Sequence, residues 1–266
     1  DGDELSDILL GAPYNDDGLG NAGKVYLFLG SSIDGSAEID LADADYMFVG
    51  STVGDNFGYS MSSAGDIDGD DLDDFAITAY GSDLGGTSSG AIYIFLAADL
   101  PETGTTLEAD DAHLVLIGEN NLDYAGLSLD SAGDIDGDGQ DDLLIGAAYN
   151  DTIGSSSGVG YVLFGETLET GGELDLSESD IVFVGETAGD RAGNGIAAAG
   201  DVDGDELADV IVGAPGHDWW KTDSGMAYLF LGATLSDDKT SYDLGAYEYD
   251  HAFAGDEGQD IGSAVA

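Results

Sequence analysis

The stretch Asp134-Ile135-Asp136-Gly137-Asp138-Gly139-Gln140-Asp141-Asp142 decides the fold of this chain. Counted as a loop, it sets carboxylates at positions 1, 3, 5 and 9 (Asp134, Asp136, Asp138 and Asp142) and Gly139 at position 6, where a chain wrapping an ion needs a positive φ. So dense a set of hard oxygens suits Ca2+, which takes roughly six to eight oxygen ligands in a flexible shell. The four carboxylates, the backbone carbonyl of Gln140 at position 7 and one or two waters would fill that shell.

The same text recurs along the chain. Asp66, Asp68, Asp70 and Asp74 form a second copy, with the Leu72 carbonyl at position 7, and Asp201, Asp203, Asp205 and Asp209 form a third, with Leu207 there. A shortened copy, Asp1, Asp3 and Asp7, opens the sequence. The equivalent residues Asp1, Asp68, Asp136 and Asp203 lie 67, 68 and 67 residues apart, and a period that steady means an array of one structural unit.

Two other calcium loops are excluded. An EF-hand needs a bidentate Glu at position 12 between two helices, whereas Ile77, Ile145 and Val212 stand there. The Gly-Gly-x-Gly-x-Asp repeat of calcium-binding β-helices is absent as well. A short apolar run, Leu143-Leu144-Ile145-Gly146-Ala147, follows the loop, and the alternating Leu127 to Gly133 precedes it. Each reads as a strand, so the loop is the tip of a hairpin.

Each period carries four apolar segments. The first holds Ile8 to Pro13, Val25 to Gly30, Tyr46 to Gly50 and Phe57 to Gly65, and the order repeats, giving approximate repeats 1–65, 66–133, 134–200 and 201–266 within a single unit 1–266. Four short strands per period fit a propeller blade, and a β-helix would need far shorter rungs. The segments before the acidic loops are rich in small residues (Ser60, Ser62, Ser63 and Ala64; Ala197, Ala198 and Ala199), as a crowded central axis requires. The expected class is therefore all-β: a β-propeller of four-stranded antiparallel blades, with 43 glycines against 3 prolines serving many tight turns.

Charge narrows the function. The chain has 56 acidic residues against 4 Lys and Arg, a formal net charge of −52, which excludes nucleic-acid binding through phosphate neutralisation. About twenty of those acids fall in the four loops, so the rest are a property of the surface. Adaptation to high salt, where self-repulsion is screened, is one reading; a secreted surface kept soluble by Asp is the other. There is no cysteine, and no apolar run of transmembrane length. Extracellular modules hold calcium in roughly the 10⁻⁴ to 10⁻³ M range and would stand mostly empty in cytosol, so the expected place is outside the cell or on its surface.

Phe57-Gly58 ahead of an Asp-rich loop, together with Gly11-Ala12-Pro13 and Gly213-Ala214-Pro215, resembles the FG-GAP repeat, the blade unit of the integrin α-subunit propeller and of many bacterial secreted proteins. The pattern departs at Ala125-Gly126, Ala192-Gly193 and Ile261-Gly262, and at Thr78-Ala79-Tyr80 and Gly146-Ala147-Ala148. Glu4, Asp71 and Glu206 replace the position 6 glycine, which implies a backbone strain of roughly 1 kcal/mol or an altered geometry at those loops. The resemblance implies seven blades in a ring. Four periods supply about four, so the chain reads as a segment of a longer array, with a compact four-bladed ring or blades from a second copy as alternatives.

Alternating strand direction puts the calcium loops on one face and Tyr14, Tyr80, Tyr149, His217, Trp219 and Trp220 on the other, where integrin-like propellers take their ligands. The Trp219-Trp220 pair suits either an aromatic platform for a sugar ring or protein partner, or a cover over the gap between blades. No nucleophile motif accompanies His113, His217 or His251, so no enzyme is expected here. The function this supports is an extracellular calcium-stabilised scaffold for protein or glycan recognition; the alternative is a carbohydrate-binding or accessory module of a larger secreted hydrolase.

Overall fold

The computed structural model describes the 266-residue chain except residues 18, 34, 36, 37, 220, 221, 223 and 236–238. Its described residues build four sheets, and short 3-10 turns and two single-turn α-helices, Gly165–Leu168 and Gly232–Leu235, connect the strands. Sheet 1 is β1 (Ile8–Ala12), β2 (Lys24–Phe28) and β3 (Tyr46–Val49), antiparallel in that order. Sheet 2 runs β4 (Met61–Gly65), β5 (Asp74–Ala79), β6 (Ala91–Phe95) and, beyond β7 (Thr105–Glu108), β8 (Leu114–Ile117). Sheet 3 repeats this with β9 (Ser128–Gly133), β10 (Asp142–Ala147), β11 (Val159–Leu163) and, beyond β12 (Gly172–Asp175), β13 (Ile181–Val184). Sheet 4 contains β14 (Ile196–Gly200), β15 (Asp209–Ala214), β16 (Met226–Phe230) and, beyond β17 (Ser241–Asp243), β18 (His251–Ala254).

The expectation of four antiparallel strands per unit needs one correction. The short strands β7, β12 and β17 leave their own sheet and pair in parallel with the outer strand of the sheet before: β7 with β3, β12 with β8, β17 with β13. Sheets 2 and 3 therefore have five strands, and each such strand clasps the preceding sheet. Among the described residues no strand pairing closes the fourth sheet onto the first.

Middle strands are apolar on both faces because each face meets a different neighbour. Phe75 and Ile77 of β5, with Tyr93 and Phe95 of β6, pack against Val25, Leu27 and Phe48 of sheet 1. The alternate residues Ala76, Ile92 and Ile94 pack with Leu143, Ile145 and Tyr161 of sheet 3. The period-2 geometry of a strand thus builds a separate dry layer between each pair of sheets. Small residues on β4, β9 and β14 let these inner strands approach: Ser128 Oγ accepts from Ile196 N at 3.2 Å and an Asp130 oxygen accepts from Ala198 N at 3.3 Å.

The two glycine motifs meet at the same joints. A Cβ on Gly11, Gly146 or Gly213 would sit 2.2, 2.0 or 2.0 Å from the carbonyl oxygen of Gly58, Gly193 or Gly262, the glycine that opens the following unit. Backbone touches backbone there, and only glycine leaves the room. At the joint where Thr78 replaces the first glycine, a Cβ on Gly126 would meet the Thr78 Cβ at 2.9 Å.

Candidate metal centres

Each of the three full-length acidic loops springs from a hairpin whose last pairs are irregular: the register slips between Ser63 and Gly65, at Asp142/Leu143, and between Ala198 and Gly200. A bulge bends the strand and turns the loop inward on itself. The loop then folds around its first carboxylate. Asp134 accepts from the N–H groups of Gly137 (2.7 Å), Asp138 (3.1 Å) and Gly139 (3.0 Å), and Asp201 accepts from Gly204, Asp205 and Glu206 at 2.6, 3.1 and 3.1 Å. Asp66 accepts from Asp70 and Asp71 at 3.0 and 2.9 Å.

Position 6 is left-handed in every copy, with φ of 71° at Glu4, 69° at Asp71, 95° at Gly139 and 76° at Glu206. The loops keep one geometry and three of them carry the strain. Position 4 is also left-handed, at Gly2, Gly69, Gly137 and Gly204, with φ between 73° and 84°. The recurrent Asp-Gly-Asp text carries the signal for that position.

Position 9 does backbone work. Asp142 is fully buried, and its oxygens accept from Ile135 N at 2.8 Å and Gly165 N at 2.9 Å. Asp209 does the same with Val202 N (2.7 Å) and Gly232 N (2.8 Å), and Asp74 with Ile67 N (3.3 Å) and Ala97 N (2.8 Å). Asp7 accepts from Gly30 N at 2.8 Å. This carboxylate locks the loop to the end of the third strand of its hairpin meander, so loop and sheet are one unit. Burial raises Asp142 to about 8 and Asp74 to about 6.

Three groups of carboxylates converge, each with its oxygens within 4.8 Å of one another: Asp66, Asp68 and Asp70; Asp134, Asp136 and Asp142; Asp201, Asp203 and Asp209. Asp74, Asp138 and Asp205 stand outside those groups, and no three of Asp1, Asp3 and Asp7 form one. Asp3, Asp70, Asp138 and Asp205 each accept from the N–H two residues on, at 2.9, 2.9, 2.8 and 3.0 Å, the last three from Leu72, Gln140 and Leu207, and Asp70 alone of these also belongs to a convergent group. The Gln140 side chain also reaches the Ile67 carbonyl of the neighbouring loop at 3.0 Å.

The residues fit a hard divalent cation. Every convergent atom is oxygen, and Asp68 Oδ1 is buried with no hydrogen-bond partner, the condition a metal would relieve. Loss of solvent and the neighbouring carboxylates push Asp68 above the usual carboxylate range, and Asp136 likewise. Like charges held this close repel unless a cation sits among them.

At the far ends of β1, β5 and β10 the side chains are aromatic. Tyr80 packs edge-on against Tyr59 (ring centroids 4.5 Å) and lies 6.0 Å from Tyr124, which meets Tyr149 at 5.6 Å; burial first, then the neighbouring Tyr14, raises the Tyr80 hydroxyl above its ordinary range. The Arg191 guanidinium lies over Tyr149 at 5.6 Å. Tyr14, Tyr59 and Tyr149 are exposed, so the rings form a band across three sheets. Trp219 is half-buried, packs against the core between sheets 3 and 4, and lies 6.2 Å from the His217 ring. That placement suits a cover over the joint rather than an open platform. Trp220 lies outside the described residues.

Comparison with known proteins agrees with this geometry. The FG-GAP repeat family matches residues 57–95, 125–163 and 192–230, each span running from the glycine joint through the acidic loop into the third strand. These three spans are FG-GAP repeats. It is 28% identical over 201 residues to integrin alpha-PS5 of Drosophila melanogaster, 30% over 200 residues to integrin alpha-5 of Xenopus laevis, and 28% over 231 residues to integrin alpha-PS2 of Drosophila melanogaster. Those matches cover 74%, 72% and 82% of this chain and 18%, 18% and 15% of the integrin subunits. The chain thus spans less than a fifth of these relatives.

Three members of the FG-GAP aromatic band, Tyr59, Tyr124 and Arg191, escape a reading of the sequence. Tyr124 and Arg191 occupy the residue before the repeat's small-Gly pair, where φ is 52° and 58°, as at Asn56 with 58°. A left-handed non-glycine residue recurring in register is a signal of a projecting side chain, and it is visible only with the backbone in hand.

Proposed function

We propose that this FG-GAP chain is an extracellular, calcium-stabilised propeller segment that presents the face opposite its acidic loops to a protein partner, without catalysis of its own. The convergence of three carboxylates at each of three equivalent hairpin tips, with a buried, unpartnered Asp68 oxygen in one of them, carries the calcium reading. Asp1, Asp3, Asp7, Asp74, Asp138 and Asp205, and the carbonyls of Leu72, Gln140 and Leu207, complete the proposed ligand shells. Because the position 9 carboxylate ties each tip to its sheet, ion binding and sheet closure are linked. The four sheets are four consecutive blades in this reading, as part of a seven-bladed ring or longer array.

Likeness to integrin alpha subunits supports a recognition role, and the exposed tyrosine band supplies the apolar contact area that such surfaces use. Those exposed rings also favour a second reading, stacking on a glycan, as an accessory module of a larger secreted hydrolase. No helix of the described residues is long and apolar enough to cross a membrane.

Calcium removal tests the first part. At free calcium ten times Kd each site adds about 1.4 kcal/mol, so chelator should lower the melting temperature steeply and Asp136→Asn should remove one site from a calorimetric titration. An unchanged melting temperature in chelator would refute it. A glycan array against Tyr80→Ala/Tyr124→Ala separates the partners: glycan binding lost in that variant favours the sugar reading.

A further inference from the structure

One side-chain cluster on the face away from the acidic loops has a different chemistry. In all four sheets the same turn position has a carbonyl that accepts from a glycine N–H: Asn15 from Gly23 (3.3 Å), Ser82 from Gly90 (3.1 Å), Asn150 from Gly158 (3.0 Å) and His217 from Gly225 (3.0 Å). Sheet 3 shows the ordinary use of this position. The Asn150 amide donates to Asp123 at 2.7 Å, and nearby Glu119 accepts from the Tyr161 hydroxyl at 2.7 Å. Each of the two carboxylates there accepts from a neutral donor.

Sheet 4 keeps both acids, as Asp190 and Glu186, and replaces the amide with an imidazole. Its tyrosine, Tyr228, turns to Met226 Sδ at 3.6 Å, which leaves Glu186 for the ring: His217 Nε2 lies 2.8 Å from Glu186 Oε2. Asp190 is 2% exposed and is oriented by Thr187, whose N–H and hydroxyl each donate to it at 2.8 Å. One atom from each of His217, Glu186 and Asp190 lies within 4.8 Å of the others. The histidine is 5% exposed, and its Nδ1 has no hydrogen-bond partner.

A neutral ring that gives its Nε2 proton to Glu186 leaves a buried lone pair at Nδ1, and a charged ring leaves a buried N–H there. Neither protonation state pairs both nitrogens, and an unpaired buried polar atom is the costly case. A cation held among the three convergent groups would take one ring nitrogen as a ligand and change this balance. One imidazole with two carboxylates is a borderline-soft donor set, suited to zinc-class ions and unlike the all-oxygen tips at the other end of the strands.

We propose that His217, Glu186 and Asp190 form a binding site for a first-row divalent cation of the zinc class. It would staple the turn after β15 to the segment between β13 and β14. The side chain of Glu186 is 34% exposed, which gives the ion a route in and a water-facing position. The proposal does not depend on calcium at the acidic loops.

The test is a calorimetric titration of Zn2+ into the full chain kept saturated with Ca2+, paired with the visible spectrum of the Co2+-loaded protein. One zinc site per chain is expected, with the intense bands of a low-coordinate cobalt ion. His217→Asn installs the residue that sheet 3 carries at this position and should weaken zinc by about a hundredfold or more while calcium binding stays. Glu186→Gln provides the second variant should the first not fold, and His113→Asn should leave the site intact. No zinc uptake by the calcium-saturated chain, or the same uptake and cobalt spectrum in His217→Asn, would overturn the proposal.

Discussion

At the scale of single residues, the left-handed loop position gives the sharpest prediction. Asp71 and Glu206 hold φ of 69° and 76°, a region that costs an L-residue about 1 kcal/mol and glycine almost nothing. Asp71→Gly should therefore stabilise the chain by about 1 kcal/mol, and Gly139→Asp should destabilise it by a similar amount, in denaturant curves at saturating calcium. Asp55 gives a second. It is 6% exposed, and burial first, then Asp83, pushes it up to about 6. A raised carboxylate adds stability that is complete below its unfolded value near 3.8 and is lost as pH rises through about 6. The protein should gain about 1.4 kcal/mol from this group between about pH 7.5 and 5, and Asp55→Asn should remove that gain. An equal pH slope in both proteins would contradict the assignment. Residue types and spacings announced the acidic loops in the sequence. The division of labour inside them did not show, because a carboxylate that accepts two backbone N–H groups at position 9 reads the same on paper as one that faces an ion.

At the scale of elements, long apolar runs were legible and short polar strands were not. β5, β6, β10 and β11 are buried along their whole length, so their composition states their place. The clasp strands Thr105–Glu108, Gly172–Asp175 and Ser241–Asp243 turn only one side chain inward, Leu107, Leu174 or Tyr242, amid acidic and polar neighbours. Their spacing matches the repeat, and a 3-10 turn follows each one, at Ala109–Asp111, Leu176–Glu178 and Leu244–Ala246, a recurrence that would have exposed them. Leu107 is 8% exposed and shares a core layer with Phe48. Leu107→Ala should cost about 2 to 3 kcal/mol and speed amide exchange in both β3 and β7, whereas Thr106→Ala on the open side should stay within about 0.5 kcal/mol. Wild-type exchange in β3 of the Leu107 variant would mean that the clasp does not hold the sheet.

At the scale of the whole molecule, net charge sets the conditions under which the fold is comfortable. With 56 acids against 4 Lys and Arg, repulsion acts across the entire surface, and ion pairs such as Lys24 with Asp17 and Lys239 with Glu248 relieve little of it. Raising salt from about 0.1 M to 1 M shortens the screening length from about 10 Å to 3 Å, so the melting temperature at saturating calcium should climb over that range. A flat response would show that the acids are too well solvated to strain the compact state. The parallel clasps carry a further consequence, for birth rather than stability. Tyr46 pairs with Thr105, Leu114 with Gly172 and Val182 with Ser241, so each of the first three sheets waits for a strand made nearly sixty residues later. On a ribosome, one sheet's outer border stays bare until most of the next has emerged, and the chain must be finished link by link, each completed by its successor.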